Sequence, residues 1–127
     1  MHVGLQFELD GSTFMKTVHV LWTGGWDSSY RVLDLSLVRG VHVQSHYLID
    51  PERESTEFEL AAIDSIRTDA AARGASIAEA EVQPIDSLQI SEEAKAKYAV
   101  LRDRYGIGAQ YLWLSEYARY RGIDGLE

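Results

Sequence analysis

The chain has 127 residues, 46% apolar and 25% charged, a balance that fits one globular domain with its own core and excludes two. Twenty acidic against twelve basic residues leave a net charge of -8 with the basic side chains scattered, which argues against long nucleic acid as a partner but not against a small anion held by backbone N–H groups and a cation. Cysteine is absent, so disulfides, thiolate zinc sites and thiol nucleophiles are excluded.

No apolar run approaches the roughly 20 residues of a membrane span. The opening residues 1–7 (MHVGLQF) lack the basic region and apolar core of a signal peptide, so the cytoplasm is the expected location, with no membrane partner. Residues 1–127 read as a single domain, with no repeat, linker or low-complexity tract.

In chain order, residues 1–16 support two readings. Residues 3–9 alternate, Asp10-Gly11 is a turn signal and Phe14 leads on, which suggests a β-hairpin placing an antiparallel strand beside the central one. The other reading is a flexible leader ahead of a natural start at Met15. Residues 17–22 (TVHVLW) are β-branched and apolar without alternation, as in a strand buried on both faces.

Helical spacing follows over 30–38, with Asp27 or Ser28 expected as the cap and Gly40 at the end. A second strand is expected over 41–49 and a break at Asp50-Pro51. A helix over 55–73 ends at Gly74, a weaker strand spans 76–82, and helices cover about 92–104 and 109–121. Alternating strands and helices predict parallel βαβ units with right-handed crossovers.

The chemically informative segment is Thr23-Gly24-Gly25-Trp26-Asp27-Ser28-Ser29, between strand and helix. Paired glycines let the backbone turn and approach a ligand. The following helix start presents unpaired N–H donors and the positive end of its dipole to an anion. Hydroxyls of Thr23, Ser28 and Ser29 add donors. Asp27 would repel bare phosphate and fits better beside Mg²⁺. The competing reading is a tight turn with Asp27 as its cap. The Walker spacing and lysine are missing.

Trp22-Thr23-Gly24-Gly25-Trp26-Asp27-Ser28 resembles the Ser-Gly-Gly-x-Asp-Ser signature of PP-loop ATP pyrophosphatases, the adenine nucleotide α-hydrolase-like superfamily. Ile49-Asp50-Pro51-Glu52-Arg53-Glu54-Ser55 and Ile107-Gly108-Ala109-Gln110-Tyr111 are most similar to the 7-cyano-7-deazaguanine synthase-like branch of queuosine biosynthesis. The resemblance implies a Rossmann-like (HUP-type) three-layer α/β domain with a mostly parallel sheet of three or four strands. It implies that ATP is cleaved to AMP and pyrophosphate, adenylating a small substrate for amidation, nitrile formation or thiolation. It also implies ATP and Mg²⁺ as cofactors. Asp27 and Ser28 would be catalytic, with Asp27 also on the metal. Thr23, Gly24, Gly25, Asp27, Ser28 and Ser29 would hold phosphates, and Tyr47, Leu48 and Ile49 would lie against adenine.

Two departures qualify the resemblance. That branch carries a zinc-binding cysteine cluster, and this chain has no cysteine. Residues 123–127 look like the start of a strand flanking the first, so the chain covers about the first half to two-thirds of the family pattern. The alternative function is therefore a non-catalytic adenine-nucleotide-binding module, or a truncated fragment acting through oligomerisation.

Among other residues, Arg53 can reach a phosphate or carboxylate, or simply pair with its glutamate neighbours. Gln110 and Tyr111 can face the cleft or begin an amphipathic helix. His2, His19, His42 and His46 lack metal-ligand spacing. Trp113, Tyr117 and Tyr120 recur at helical spacing, as for packing or an interface. If no strand covers the free edge of the central strand, two chains can pair there as a homodimer.

Overall fold

The β-branched run at 17–22 becomes the middle of a four-stranded sheet in the computed structural model, which describes residues 4–7 and 14–127, with side chains from Lys16 onward. The strands are β1 (Gly4–Phe7), β2 (Phe14–Leu21), β3 (His42–Ile49) and β4 (Glu81–Pro84), in the spatial order β1-β2-β3-β4. Strands β2, β3 and β4 are parallel, and β1 runs antiparallel to β2 from Gly4↔Thr17 to Phe7↔Phe14. Of the two readings of residues 1–16, the antiparallel strand beside β2 is the one present, over Gly4–Phe7. The Asp10-Gly11 turn lies outside the described residues.

Four helices complete the α/β domain: α1 (Trp26–Leu33), α2 (Thr56–Ala71), α3 (Glu92–Tyr105) and α4 (Gln110–Arg121). A wider π-type turn, Asp34–Val38, extends α1, and Arg39 N–H reaches the Asp34 carbonyl at 3.0 Å. The third parallel strand is later than expected. Of the expected 76–82, residues 76–80 give only an isolated Val43↔Ile77 bridge, while Glu81 and Val82 open the ladder Glu81–Pro84. The β-signal at 76–82 is weak because Ile77 and Val82 are its two β-branched residues and two alanines supply the rest of its apolar character.

Alternation along the strands divides the helices between two faces. Val18, Val20 and Trp22 from β2 and its end share one face with Val43 and Tyr47 from β3. That face meets α1 and α2, since Trp22 bonds Ser29 and Tyr47 bonds Glu59. His19 and His46 lie on the opposite face, where His46 meets Tyr117 of α4. Full burial of each Val or Ile here contributes about 1.5–3 kcal/mol. Among the described residues no helix is long and apolar enough to cross a membrane.

The free edge of β2 is covered from both ends. Strand β1 takes residues 14–17. Glu127 N–H donates to the His19 carbonyl at 3.0 Å, and Leu21 N–H donates to the Glu127 carbonyl at 2.7 Å. That is the bonding of a parallel strand beside Val20. Arg31 Nη2 on α1 also holds both Glu127 carboxylate oxygens, at 2.8 and 3.1 Å. Of the residues expected to start a flanking strand, Glu127 lies against β2, and the edge that motivated pairing of two chains is occupied at 14–17 and at 19–21.

Candidate functional site

The chain leaves β2 at Trp22, whose side chain is fully buried. Its N–H donates to the His46 carbonyl at 3.0 Å, and its indole Nε1 donates to Ser29 Oγ at 2.9 Å. The indole therefore staples α1 to the strand end, and the buried Ser29 hydroxyl serves this anchor. Between the two residues the 23–29 loop turns at Gly24, which has φ +82. A Cβ there would meet the Glu59 carbonyl at 3.1 Å, so the close approach of α2 requires glycine at this position. Gly25 differs: its φ is -79, and a Cβ would meet only Thr23 Oγ1, at 3.5 Å.

The expected cap is corrected. The N-cap of α1 is Gly25, with no side-chain cap bond. Ser28 Oγ turns back instead, accepting Thr23 N–H at 3.2 Å and lying 3.2 Å from Thr23 Oγ1. The first bond of the helix runs from Ser29 N–H to the Gly25 carbonyl at 3.0 Å. The amides of Trp26, Asp27 and Ser28 precede it and have no helical acceptor. Asp27 is exposed, and Trp26 beside it is 94% exposed.

A cleft of about 460 Å³ opens at the carboxyl ends of the parallel strands. Thr23, Tyr47, Leu48, Arg53 and Gln110 all line it. The sequence had drawn these five residues from four separate segments. Gly24, Gly25, Asp27, Ser28 and Ser29 adjoin it through Thr23 rather than lining it. Ile49 is not a lining residue either, and packs against the core. Gln110 and Trp113 enter from the first turn of α4, whereas Tyr111 lines a different hollow.

The larger hollow, about 820 Å³, lies between α3 and α4. It contains no residue of the 23–29 loop, and its charged groups pair along their own helices as Lys97–Glu93 and Arg119–Glu116. Position at the strand ends, where open α/β sheets bind ligands, favours the smaller cleft.

Glu59 is the functional candidate that sequence reasoning missed. Its carboxylate, 13% exposed, pairs with Arg53, accepts Ser55 Oγ at 2.7 Å and accepts Tyr47 Oη at 3.3 Å. Burial and the neighbouring Glu59 push the Tyr47 phenol up from its ordinary value. Ser55 is the N-cap of α2 but makes no cap bond, because its hydroxyl goes to Glu59. The spacing Ser55 to Glu59 is one residue longer than a capping box, so no standard signal marked it.

On the other face, His19 Nδ1 lies 2.9 Å from His46 Nε2, and His46 Nδ1 lies 2.6 Å from Tyr117 Oη. His46 is 1% exposed, and burial, with His19 and Arg121 nearby, pushes it down to about 4. Burial also lowers His19 and raises Tyr117. Glu81 on β4 pairs with Arg121 of α4 and lies 3.8 Å from His46 Nδ1. His42 bonds Ser76 at 2.7 Å. Among the described residues no group of three or more His, Cys, Asp or Glu is arranged to hold a metal ion.

No protein-family model matches the chain, and no curated protein matches it significantly.

Proposed function

We propose that this chain is an adenine-nucleotide-binding domain of the PP-loop, HUP-type kind, in which the 23–29 loop holds the phosphates of ATP. One observation carries the reading. The glycine turn and the unpaired first amides of α1 adjoin a cleft at the strand ends, and that cleft gathers Thr23, Tyr47, Leu48, Arg53 and Gln110. Gly24 serves the packing of α2, so the space for a phosphate is over Gly25 and the amides of Trp26, Asp27 and Ser28. Tyr47 and Leu48 supply the apolar wall suited to adenine.

The reaction that fits is adenylation. An oxygen of a small substrate attacks the α-phosphorus, the bond from that phosphorus to the bridging oxygen breaks, and pyrophosphate leaves with the electron pair. Amides and hydroxyls of the loop offset the charge growing on the leaving group. Mg²⁺ would arrive with the nucleotide, taking most of its oxygen ligands from phosphates and water, with Asp27 as the protein ligand.

A specific observation favours the second reading, a module that binds without turnover: Arg53, the cation lining the cleft, is already paired with Glu59. Incubation with Mg-ATP and a panel of small carboxylic acids separates the two. AMP and pyrophosphate identify the enzyme, and binding without products identifies the module. ADP and phosphate would overturn the assignment to this superfamily.

The two glycines separate fold from ligand binding. Gly24→Ala is expected to destabilise by about 1–2 kcal/mol in urea unfolding, from the left-handed φ and the Glu59 carbonyl. Gly25→Ala, at the N-cap with negative φ and no backbone clash, should cost less stability than Gly24→Ala while weakening ATP through the Cβ added at the phosphate loop. Equal effects on stability from both substitutions would contradict this division.

A further inference from the structure

Arg53 and Glu59 reach the cleft from different elements, and their exposures are unequal. The arginine is 53% exposed and the glutamate 13%. Both carboxylate oxygens are occupied: Oε1 takes Arg53 Nη2 and Ser55 Oγ, and Oε2 takes Tyr47 Oη. A carboxylate of α2 held by three donors, Tyr47 on β3 and Arg53 and Ser55 on the loop after it, is a fixed point. The arginine is a long side chain that would otherwise sample solvent.

A guanidinium has five N–H donors in a rigid fork. Here Nη2 faces Glu59 and Ser55 Oγ, the latter at 3.5 Å. The Nε and Nη1 donors have no partner among the described residues, and Arg53 lines the same cleft as Thr23 and Gln110. The backbone of Glu59 is meanwhile the surface against which Gly24 packs. One residue of α2 therefore touches the loop through its carbonyl and the cleft arginine through its carboxylate.

We infer that Glu59 is a positioning residue: it holds Arg53 by one edge so that the other edge receives a phosphate of the nucleotide bound on the 23–29 loop. This rests on the ATP reading above. The negative charge of Glu59 is absorbed by its three donors, and a pre-oriented fork suits a phosphate better than a freely rotating one. The effect bears first on phosphate, because the one link from Glu59 to the adenine wall is the Tyr47 Oη bond, for which Glu59→Gln keeps an acceptor.

The test is calorimetric titration of Mg-ATP, and of adenosine by displacement, into wild type, Glu59→Ala, Glu59→Gln, Arg53→Gln and the double variant Arg53→Gln/Glu59→Ala. Glu59→Ala is expected to weaken ATP about tenfold, the scale of one charge-assisted hydrogen bond, with a much smaller loss for adenosine through the Tyr47 bond alone. Glu59→Gln keeps an acceptor for Ser55 and Tyr47 and should show a smaller loss of the same sign. It also carries the comparison if the alanine variant does not fold. In the Arg53→Gln background Glu59→Ala should add nothing. Equal losses for ATP and adenosine would reduce Glu59 to a structural role and overturn the inference, as would unchanged or tighter ATP binding. Absence of ATP binding to the wild type would instead remove the nucleotide reading, and the inference with it.

Discussion

If the 23–29 loop holds Mg-ATP as proposed, replacing Asp27 and Ser28 together by alanine should weaken binding at least about a hundredfold, since two charge-assisted contacts of about 1.5–3 kcal/mol each would be lost. Ser28 Oγ is the hinge of the loop, receiving Thr23 N–H at 3.2 Å and facing Thr23 Oγ1 at the same distance. Without it the Thr23 backbone is no longer tied to the first turn of α1. Asp27 is exposed and placed at the helix start, where a carboxylate next to phosphates is tolerable only with a cation between them. Stability should fall by only about 1–2 kcal/mol, from the Thr23–Ser28 bond and the Asp27 charge at the helix start, because Gly25 is the N-cap and no cap bond is lost. Calorimetry with urea unfolding as control makes the measurement. Wild-type affinity in the double variant would mean that the turn is only a turn.

The second large effect is acid destabilisation through His46. Its folded value of about 4 lies below the ordinary 6.5, so the unfolded chain binds the proton more readily. The neutral imidazole therefore contributes its full stability above pH 6.5, and that contribution is lost as pH falls from 6.5 through about 4. The difference corresponds to about 3 kcal/mol for a ring that is almost wholly buried, a large share of the about 5–15 kcal/mol typical of a domain.

The groups facing the ring are His19 on β2, Glu81 on β4, and Tyr117 and Arg121 on α4. Glu81 is already paired with Arg121, so it does little to offset a second cation. Because Tyr117 docks α4 on this ring, and Gln110 and Trp113 of α4 line the cleft, nucleotide affinity should fall together with stability. Urea unfolding at pH 7.5, 6.5, 5.5 and 4.5 (the last about half a unit above the folded value) should show wild type losing more stability than His46→Gln. Parallel curves would show that this ring does not control acid stability.

The central strand, the loop and the helix order were legible because their causes are local. A stretch rich in β-branched and apolar residues such as 17–22 has few alternatives to a buried strand, and Gly24-Gly25 before a helical period leaves a turn as the simplest geometry. The bounds of the third parallel strand were less legible, because the weakly apolar stretch at 76–82 becomes strand only where it pairs with β3, from Glu81 to Pro84. The cap misled for a related reason: Asp27 and Ser28 have the right chemistry for a cap, but Thr23 competes for Ser28 and leaves the position to Gly25.

Taken alone, the sequence determined an α/β chain with a glycine-hydroxyl loop between its central strand and the next helix, because residue order along the backbone specifies both. Tertiary structure decided everything that depends on contacts between distant segments. It brought Tyr47, Arg53 and Gln110 to the mouth of the loop, assigned Gly24 to the packing of α2 and Gly25 to open space, and buried His46 under Tyr117, 71 positions away. It also made Glu59 the partner of Arg53. Spacing along the chain records periodicity within an element, whereas the meeting of side chains from different elements is set by packing of the whole core.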